Sequence, residues 1–377
     1  MLRMGMVGGG PGAFIGPVHR MGAELDGEIH LVAGAFSSDP AKSKLAASGY
    51  GIAAERAYAN YEEMLKSESK RSDPIDFVVI ATPNHLHLPI AAAAMDLGFH
   101  VVSDKPATAT LAEAYKLREA VRRTGKLYAL THTYTGYPLV REARTICRRG
   151  DLGAVRKVVV EYSQGWLSDR LEETGHKQAA WRADPAQAGL GGCIGDIGVH
   201  AFNLVEFVTG LRIGEIAAAL SSVVKGRRLD DDCNVLLRMD NGAPGVLHAS
   251  QIAAGERNGI RLRVYGEKGG LEWSHDDPNC LRLNWKDAPS QTLYAGSNVN
   301  YLSEPTRSAF RVPIGHPEGL IEAFANIYRD FATALRNRQP LSDVVPSIEA
   351  GVRGMLFVER AVESSRAGSR WLALAES

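Results

Sequence analysis

The sequence is poor in cysteine, in net charge and in long apolar stretches. Its four cysteines, Cys147, Cys193, Cys233 and Cys280, are far apart and form no C-x-x-C pair. Isolated cysteines are typical of reduced, buried thiols, so we expect neither disulfides nor a metal site. Lysine and arginine number 43 together, as do aspartate and glutamate, and the formal net charge is zero. This balance argues against a nucleic acid or a membrane surface as a partner.

Signals for membrane insertion and export are also missing. No stretch approaches the roughly 20 apolar residues that a membrane-spanning helix needs. Residues 1–7 run directly into an apolar segment, without the basic stretch and apolar core of a secretion signal. We therefore expect a cytoplasmic globular protein.

The chain does have enough length, 377 residues, for two domains. Its first part alternates short apolar runs with helical stretches, which is typical of a parallel α/β sheet. The uninterrupted apolar run at 77–81 indicates a central strand covered on both faces. The predicted strands are 3–7, 30–36, 76–81, 100–102 and 127–131. The predicted helices between them are 40–48, 61–69, 88–97 and 111–124.

From about residue 154 the pattern changes to strands joined by tight turns. Asn241-Gly242 is a strong hairpin marker, and glycines also break the chain at 269–270. These features predict a mostly antiparallel sheet, with strands at 155–162, 235–239, 245–252, 260–265, 270–273 and 280–283. Helices are predicted at 138–149, 196–208, 318–337 and 347–367.

Residues 8–14, GGGPGAF, form a glycine-rich turn directly after the first predicted strand. Read as G-x-G-x-x-A, Gly8 makes the tight turn, Gly10 lets the backbone approach a pyrophosphate, and Ala13 allows close helix packing. The N-terminus of the next helix would present its positive dipole end to the phosphates. A plain glycine turn is the alternative. The candidate cofactor contacts here are Gly8, Gly10, Pro11, Gly12, Ala13 and Phe14.

Polar residues follow two further strands of the predicted parallel sheet. Residues 82–87, TPNHLH, follow strand 76–81, and Asp104 and Lys105 follow strand 100–102. Ligands of open α/β sheets bind at the carboxyl ends of the strands. The added cofactor candidates are Thr82, Pro83, Asn84, His87, Asp104 and Lys105. For His87, capping of the following helix is an equally good interpretation, and Lys105 has a surface-loop role as its alternative.

Asp196 and His200 are four residues apart on a predicted helix, a spacing that brings two side chains onto one face. A carboxylate beside an imidazole suits proton transfer near neutral pH. The alternatives are that Asp196 caps the helix N-terminus and that His200 is an ordinary buried histidine.

Taken in order, the glycine turn, Thr82-Pro83-Asn84 with His87, Lys105-Pro106 and the GDIGVH sequence at 195–200 resemble the Gfo/Idh/MocA oxidoreductase family. The resemblance covers nearly the whole chain, and the nearest branch contains scyllo-inositol and related cyclitol or sugar dehydrogenases. It implies an α/β protein with an N-terminal Rossmann dinucleotide-binding domain, 1–132, and a C-terminal α+β domain, 133–377. In the second domain a large, open, mostly antiparallel sheet would form the floor of the active site and build a dimer or tetramer. The closing helices are able to pack back on the first domain.

The same resemblance implies that Lys105, Asp196 and His200 are the catalytic group. We assign His200 as the base, Asp196 as the carboxylate that orients it, and Lys105 as the cation that polarises the reacting oxygen. Exchange of the roles of Lys105 and His200 remains open. Asp104 stands where the family has glutamate, and its shorter side chain puts a cofactor contact in doubt.

Substrate contacts are predicted from residues around this group. Trp181 and Arg182 precede the catalytic helix and would supply a stacking surface and a hydroxyl-binding fork. Further candidates are His132, Tyr134, Trp166 and His316, although His316 is equally placed to cap the helix after it. No strongly cationic cluster suggests a phosphorylated substrate, which favours an uncharged sugar or cyclitol.

The end of the second predicted strand bears on the choice of cofactor. NAD enzymes usually place an acidic residue there for the ribose 2′-OH, whereas this chain has Ser37 and Ser38, with Asp39 further on. Lys42 could neutralise a 2′-phosphate, but no arginine lies beside the serines. We expect NAD, with NADP as the alternative.

The leading hypothesis is therefore an NAD(P)-dependent dehydrogenase acting on a ring hydroxyl of a cyclitol or sugar. One alternative is redox-assisted elimination, such as glycoside cleavage with a tightly held NAD. Another is a dinucleotide-responsive binding protein without catalysis. The presence of Lys105, Asp196 and His200 together argues against the last.

Overall fold

The computed structural model describes residues 1–376, which form two compact units. The first comprises Met1–Thr133 and Ile321–Arg353, and the second comprises Tyr134–Leu320 and the chain from Gly354 onward. We keep two expectations about domain organisation as proposals. One is the boundary at residue 132, and the other is that the closing helices pack back on the first domain.

The first unit is built from alternating strands and helices. Its elements in chain order are β1 (Leu2–Gly8), α1 (Ile15–Glu24), β2 (Ile29–Ala35), α2 (Pro40–Gly49), α3 (Tyr61–Glu68), β3 (Phe77–Ala81), α4 (His87–Asp96), β4 (His100–Asp104), α5 (Leu111–Thr124) and β5 (Tyr128–Thr131). Every residue of β3 is buried, as the apolar run at 77–81 predicts.

The five strands form one parallel sheet in the order β2-β1-β3-β4-β5. On the far side of β2, Gly34 makes an isolated parallel bridge to Ala57, at the position of a further short strand. Counting that bridge, the strand order is the one of the doubly wound dinucleotide-binding fold. The order reverses beside β1, and the crevice at such a reversal is where ligands of this fold bind.

The second unit has a different architecture. Its elements in chain order are α6 (Pro138–Arg149), β6 (Val155–Ser163), α7 (Lys177–Arg182), α8 (Pro185–Ala188), α9 (Val199–Thr209), β7 (Ile213–Ser221), β8 (Asp232–Met239), β9 (Pro244–Ser250), β10 (Gly259–Gly266), β11 (Gly269–Ser274), β12 (Cys280–Trp285), β13 (Gln291–Tyr294) and α10 (Glu304–Arg307). The chain closes with α11 (Leu320–Asn337) in the first unit, α12 (Ile348–Arg366), within which the division at 353/354 falls, and β14 (Leu372–Ala373) in the second.

The strands of the second unit form a nine-stranded sheet in the order β13-β12-β11-β10-β6-β9-β8-β7-β14. Only β6 and β9 run parallel, and the other neighbours are antiparallel. This confirms the predicted combination of a Rossmann-type parallel sheet and a mostly antiparallel second sheet. Among residues 1–376, no helix combines the length and apolar character needed to cross a membrane.

Three strands of this sheet are absent from the sequence prediction: β7, β13 and the two-residue β14. β7 contains the run Ala217-Ala218-Ala219, and alanine favours helices over strands. Pairing with β8 along Ile213–Ser221 and burial of residues 216–218 in the core override that preference. β13 is short and largely exposed, so it carries little periodic signal.

Candidate active site

The turn between β1 and α1 brings bare backbone close to neighbouring strands. Gly8 has φ +91°, and a Cβ there would lie 2.2 Å from the carbonyl oxygen of Ala81. A Cβ on Gly10 would lie 2.4 Å from the carbonyl oxygen of Phe36. No side chain larger than hydrogen fits at either position without moving backbone.

The same turn leads into α1 in a way that suits an anion. The N-cap residue of α1 is Phe14, whose hydrocarbon side chain cannot accept a hydrogen bond. Gly12 has φ +75°, and the N–H of Ala13 donates to the carbonyl of Gly10 at 3.0 Å. Pro11, Gly12 and Phe14 are exposed. A glycine cradle at a helix N-terminus fits a dinucleotide pyrophosphate.

The polar residues after β2 are mostly engaged with the helix that follows. The carboxylate of Asp39 caps α2 by accepting from the N–H groups of Ala41 and Lys42. It also lies 3.7 Å from the ammonium group of Lys42, which is exposed. The hydroxyl of Ser37 accepts from the N–H of Asp39 at 3.2 Å, and Ser38 is exposed. Asp39 therefore acts as a helix cap at this strand end.

The loops after β3 and β4 are tied together by His87. This buried imidazole has Nδ1 2.7 Å from the carbonyl oxygen of Pro106 and Nε2 2.9 Å from that of Thr82. Burial lowers the pKa of His87. A neutral imidazole has one N–H, so it can donate to only one of these two carbonyl oxygens. Asn84 is buried in the same segment and Pro83 precedes it.

Lys105 follows β4 directly and is half-buried. Its neighbour Asp104 accepts a hydrogen bond from the hydroxyl of Thr131 on β5 at 3.1 Å. His132 is almost fully buried in the same unit, and burial, reinforced by the charge of Lys105, lowers its pKa to about 3. His132 is therefore a neutral imidazole at physiological pH.

In the second unit, Asp196 and His200 lie on one helical segment with an irregular start. Residues Ile194–Gly198 form a π-helical turn, and α9 continues from it with His200 in its first turn. The structure thus replaces the N-terminal part of the predicted regular helix with a wider turn that contains Asp196. Single π turns inside helices are frequent at functional sites.

Asp196 is held by two side chains from other parts of the second unit. One carboxylate oxygen, Oδ2, accepts from Nε of Arg182 at 3.1 Å and from Nε2 of Gln251 at 2.8 Å. The guanidinium of Arg182 lies 4.2 Å from the ring centre of Trp181 and 5.9 Å from that of Trp166. It also donates to the side-chain oxygen of Gln178 at 2.8 Å. The predicted residues Trp166, Trp181, Arg182 and Asp196 therefore form one cluster.

His200 lies against tyrosines that belong to a polar network. Its ring centre is 5.1 Å from that of Tyr134, edge to face. The hydroxyl of Tyr134 is 2.5 Å from that of Tyr162, which donates to Asn258 at 2.7 Å. Burial raises the pKa of Tyr134 to about 12, so this phenol stays protonated. The network continues through Gln164, which bonds Asn258, to the indole N–H of Trp166.

His316 differs from the other predicted substrate residues. It is exposed in the loop before α11, with Nδ1 3.3 Å from the carbonyl oxygen of Pro313. Within residues 1–376, its ring bonds neither the N-terminus of α11 nor the Asp196 cluster.

Sequence reasoning missed the residues that hold the predicted ones. Gln251 follows β9, Gln178 lies on α7, and Tyr162 and Asn258 complete the network beside His200. Glutamine, asparagine and tyrosine are common throughout soluble proteins. Gln251, Tyr162 and Asn258 are 28 to 124 residues from the groups that they contact, whereas Gln178 is four residues from Arg182. No motif in the sequence marks them.

Chemically, the first unit offers a backbone cradle for a dinucleotide and a lysine at a strand end. The second unit offers a fixed carboxylate, flanked by indole rings and a guanidinium, with an imidazole four residues later on the same helical segment. Indoles and a guanidinium fork suit the faces and hydroxyls of a sugar ring.

Comparison with known proteins identifies the family. A family model described as an oxidoreductase family with an NAD-binding Rossmann fold matches residues 2–132, and one for the GFO/IDH/MocA C-terminal domain matches residues 140–272. The chain is 36% identical to the uncharacterized oxidoreductase YfiI of Bacillus subtilis, over 98% of this chain and 96% of that protein. It is 26% identical to levoglucosan dehydrogenase of Pseudarthrobacter phenanthrenivorans, over 97% of this chain and 96% of that protein.

Solved structures agree with these relatives. An inositol dehydrogenase homolog from Azotobacter vinelandii, complexed with NAD+, superposes with a TM-score of 0.94 at 35% identity, covering 99% of this chain and 97% of that one. The same homolog has been solved with NADH and myo-inositol, with a TM-score of 0.92. The chain therefore belongs to the Gfo/Idh/MocA family of oxidoreductases and carries its NAD-binding Rossmann domain.

Proposed function

We propose that this protein oxidises a secondary ring hydroxyl of a cyclitol or sugar to the ketone or lactone, with NAD+ as the oxidant. The observation that carries the proposal is the fixed Asp196 carboxylate, one turn before His200 and beside an indole-flanked guanidinium. The relatives support the substrate class, because they include a dehydrogenase of levoglucosan and a homolog solved with myo-inositol.

In this mechanism the substrate hydroxyl gives its proton to His200. A neutral imidazole is a suitable base near pH 7 and contributes about 10²- to 10⁴-fold to such reactions. Asp196 orients the imidazole and stabilises its protonated form, while Lys105 favours the developing alkoxide electrostatically. NAD+, when bound, supplies the acceptor for the hydride that leaves the carbon. The exchanged assignment, with Lys105 as the base, stays part of the proposal.

The remaining predicted residues would position the two reactants. We assign the cofactor to the glycine cradle of residues 8–14 and the strand ends that carry Ser37, Ser38, Lys42, 82–84, His87, Asp104 and Lys105. We assign the sugar ring to Trp166, Trp181 and Arg182, with Tyr134, His132 and His316 as further contacts. Because Asp39 caps α2, acceptance of NADP as well as NAD is the specific alternative at the ribose.

The proposal extends to the setting of the enzyme. The four cysteines are all free, which suits a reducing compartment, so we assign the protein to the cytoplasm. The family resemblance supports a dimer or tetramer built through the sheet of the second unit.

The first experiment follows absorbance at 340 nm with NAD+ or NADP+ against a panel of inositols and aldoses. Stoichiometric reduction with an inositol or a glucose isomer is expected, and the preferred dinucleotide settles the cofactor. Dinucleotide binding without reduction across the panel would instead favour redox-neutral elimination or a binding protein.

The roles of the catalytic group are tested with His200→Ala and Lys105→Ala. Each is expected to lower kcat by about 10²-fold or more, and His200→Ala is expected to keep NAD+ affinity within a few-fold. His248→Ala is the matched control, because His248 lies on β9 of the same unit and contacts Asn234. Wild-type turnover in either catalytic variant would overturn that residue's assignment.

A further inference from the structure

The helical segment that carries Asp196 and His200 begins against the residues just before β8. Three successive backbone N–H groups there donate to one residue, Asp230. The N–H of Gly192 donates to Oδ1 and that of Ile194 to Oδ2, both at 2.7 Å. The N–H of Cys193, between them, donates to the backbone carbonyl of Asp230 at 2.8 Å.

Backbone contact at this point depends on glycine. A Cβ on Gly192 would lie 2.2 Å from the carbonyl oxygen of Asp230 and 2.9 Å from Cβ of Leu229. Only hydrogen at residue 192 lets the two chain segments approach this closely. The first turn of a helix leaves N–H groups without intrahelical partners, and here one acidic residue from a distant segment satisfies them.

The contact continues directly to Asp196. Gly192, whose N–H donates to Asp230, accepts a hydrogen bond on its own carbonyl from the N–H of Asp196 at 2.9 Å. Gly192 therefore links Asp230 to the backbone of Asp196 through two hydrogen bonds. This link matters for the geometry of the π turn, because Ile194–Gly198 lack the regular hydrogen-bond spacing that holds an α-helix.

We propose that Asp230 is a positioning residue, which holds the π turn so that Asp196 and His200 keep their catalytic geometry. This inference rests on the proposed function, because it takes these two residues as the catalytic pair of the second unit. The carboxylate of Asp230 acts on the pair through its hydrogen bonds with Gly192 and Ile194.

The carboxylate is well suited to this task. A negative charge at a helix N-terminus is stabilised by the helix dipole and by charge-assisted hydrogen bonds. Burial raises the pKa of Asp230 to about 6, against the opposing effect of the two N–H donors and with Asp231 nearby. At neutral pH the group is mainly ionised and accepts with both oxygens.

The test uses Asp230→Asn and a matched control, Asp231→Asn. An asparagine side chain has one carbonyl oxygen, so it can accept from only one of the two N–H groups. Asp231 is an equally suitable carboxylate next in the chain, but it accepts from the N–H groups of Val223 and Val224 and from Arg227. Both substitutions replace an anionic hydrogen-bond acceptor with a neutral one. Only Asp230→Asn does so at the start of the helical segment that carries Asp196.

We expect Asp230→Asn to lower kcat at least about 10-fold, since small misplacements of catalytic groups are costly, with NAD+ affinity unchanged. Asp231→Asn is expected to lower the thermal midpoint of unfolding about as much as Asp230→Asn does, and to keep kcat within about twofold. Hydrogen exchange monitored by mass spectrometry should show faster exchange of peptides covering 192–200 in Asp230→Asn only. Gly192→Ala, which forces the same two segments apart, is expected to reproduce both effects if Asp230→Asn does not fold.

Equal loss of kcat in the two aspartate variants, or unchanged exchange over 192–200 in Asp230→Asn, would overturn the positioning role. Exchange also separates this inference from the proposed function. If the wild type reduces no dinucleotide with any polyol, the proposed function fails. Local loosening of 192–200 would still establish that Asp230 anchors the helix.

Discussion

The two units place their chemical groups by different physical means. In the first unit, the turn at residues 8–14 presents backbone, and its shape depends on the absence of side chains at Gly8 and Gly10. The buried imidazole of His87 lies against two main-chain carbonyls of the loops after β3 and β4. In the second unit, side chains hold side chains: Arg182 and Gln251 hold Asp196, and Tyr162 and Asn258 hold Tyr134.

The difference lies in how each arrangement tolerates change. A steric requirement for hydrogen at one atom allows almost no substitution, because any Cβ collides with backbone. A network with several donors to one acceptor loses part of its function when one member is replaced. Substitutions in the glycine turn of the first unit should therefore fail abruptly, and those in the side-chain network around Asp196 should fail by degrees.

The largest effect is expected for Gly10→Ala. The added Cβ would meet the carbonyl oxygen of Phe36 at 2.4 Å, so the turn must open and lose its fit to the dinucleotide. We expect the Kd for NAD+, measured by calorimetric titration, to rise about 100-fold, which is about 2.7 kcal/mol. Gly49→Ala is the control, since a Cβ at Gly49 meets nothing within 4 Å. Equal NAD+ affinities of Gly10→Ala and Gly49→Ala would show that dinucleotide binding does not require the absence of a Cβ at residue 10.

A smaller effect is expected from acid on the buried imidazole of His132. Its folded-state pKa of about 3 lies below the usual 6.5, so the fold favours the neutral form and stability is lost as the pH falls below about 6.5. Between pH 7 and pH 5 this residue should cost about 2 kcal/mol of unfolding free energy. Denaturant unfolding of His132→Asn at both pH values should show a correspondingly smaller loss than the wild type.

The control for this measurement is His316→Asn, because His316 is exposed. Its replacement should leave the wild-type loss between pH 7 and pH 5 in place. If His132→Asn and the wild type lose the same free energy, folding does not lower the pKa of His132.

The smallest effect is expected for Arg182→Lys in the second unit. Lysine keeps the positive charge but cannot donate to Asp196 and Gln178 from one planar fork. Gln251 still holds the carboxylate, so we expect kcat/KM for the sugar to fall only about 10-fold, with NAD+ affinity unchanged. Arg228→Lys, which alters an exposed pair with Asp184, should change kcat/KM less than twofold. Complete loss of activity in Arg182→Lys would contradict the expectation that this network loses function by degrees.

Much of the fold could be predicted because it follows local patterns. The apolar run at 77–81 is a buried strand, and the predicted helices 138–149 and 318–337 correspond closely to α6 and α11. β7 could not be predicted, since its alanines favour helix and only its partner β8 makes it a strand. The π turn at Ile194–Gly198 has no periodic signal of its own.

The candidate site divides in the same way. Lys105, Asp196 and His200 could be named from the sequence because they lie in short motifs that resemble those of the family. Gln251 and Asp230 could not, although each bonds the segment that carries the motif. Their roles arise from contacts across 36 to 55 residues of chain.

By itself, the sequence determined the family, the parallel sheet and the glycine cradle. These depend on hydrophobic periodicity and on residues within one turn of each other, which a linear pattern records. Only the tertiary structure decided that Asp39 caps a helix, that His132 is buried and neutral, and that Asp196 is held by Arg182 and Gln251. Burial and long-range hydrogen bonding depend on which strands become neighbours, and that is settled when the whole chain packs.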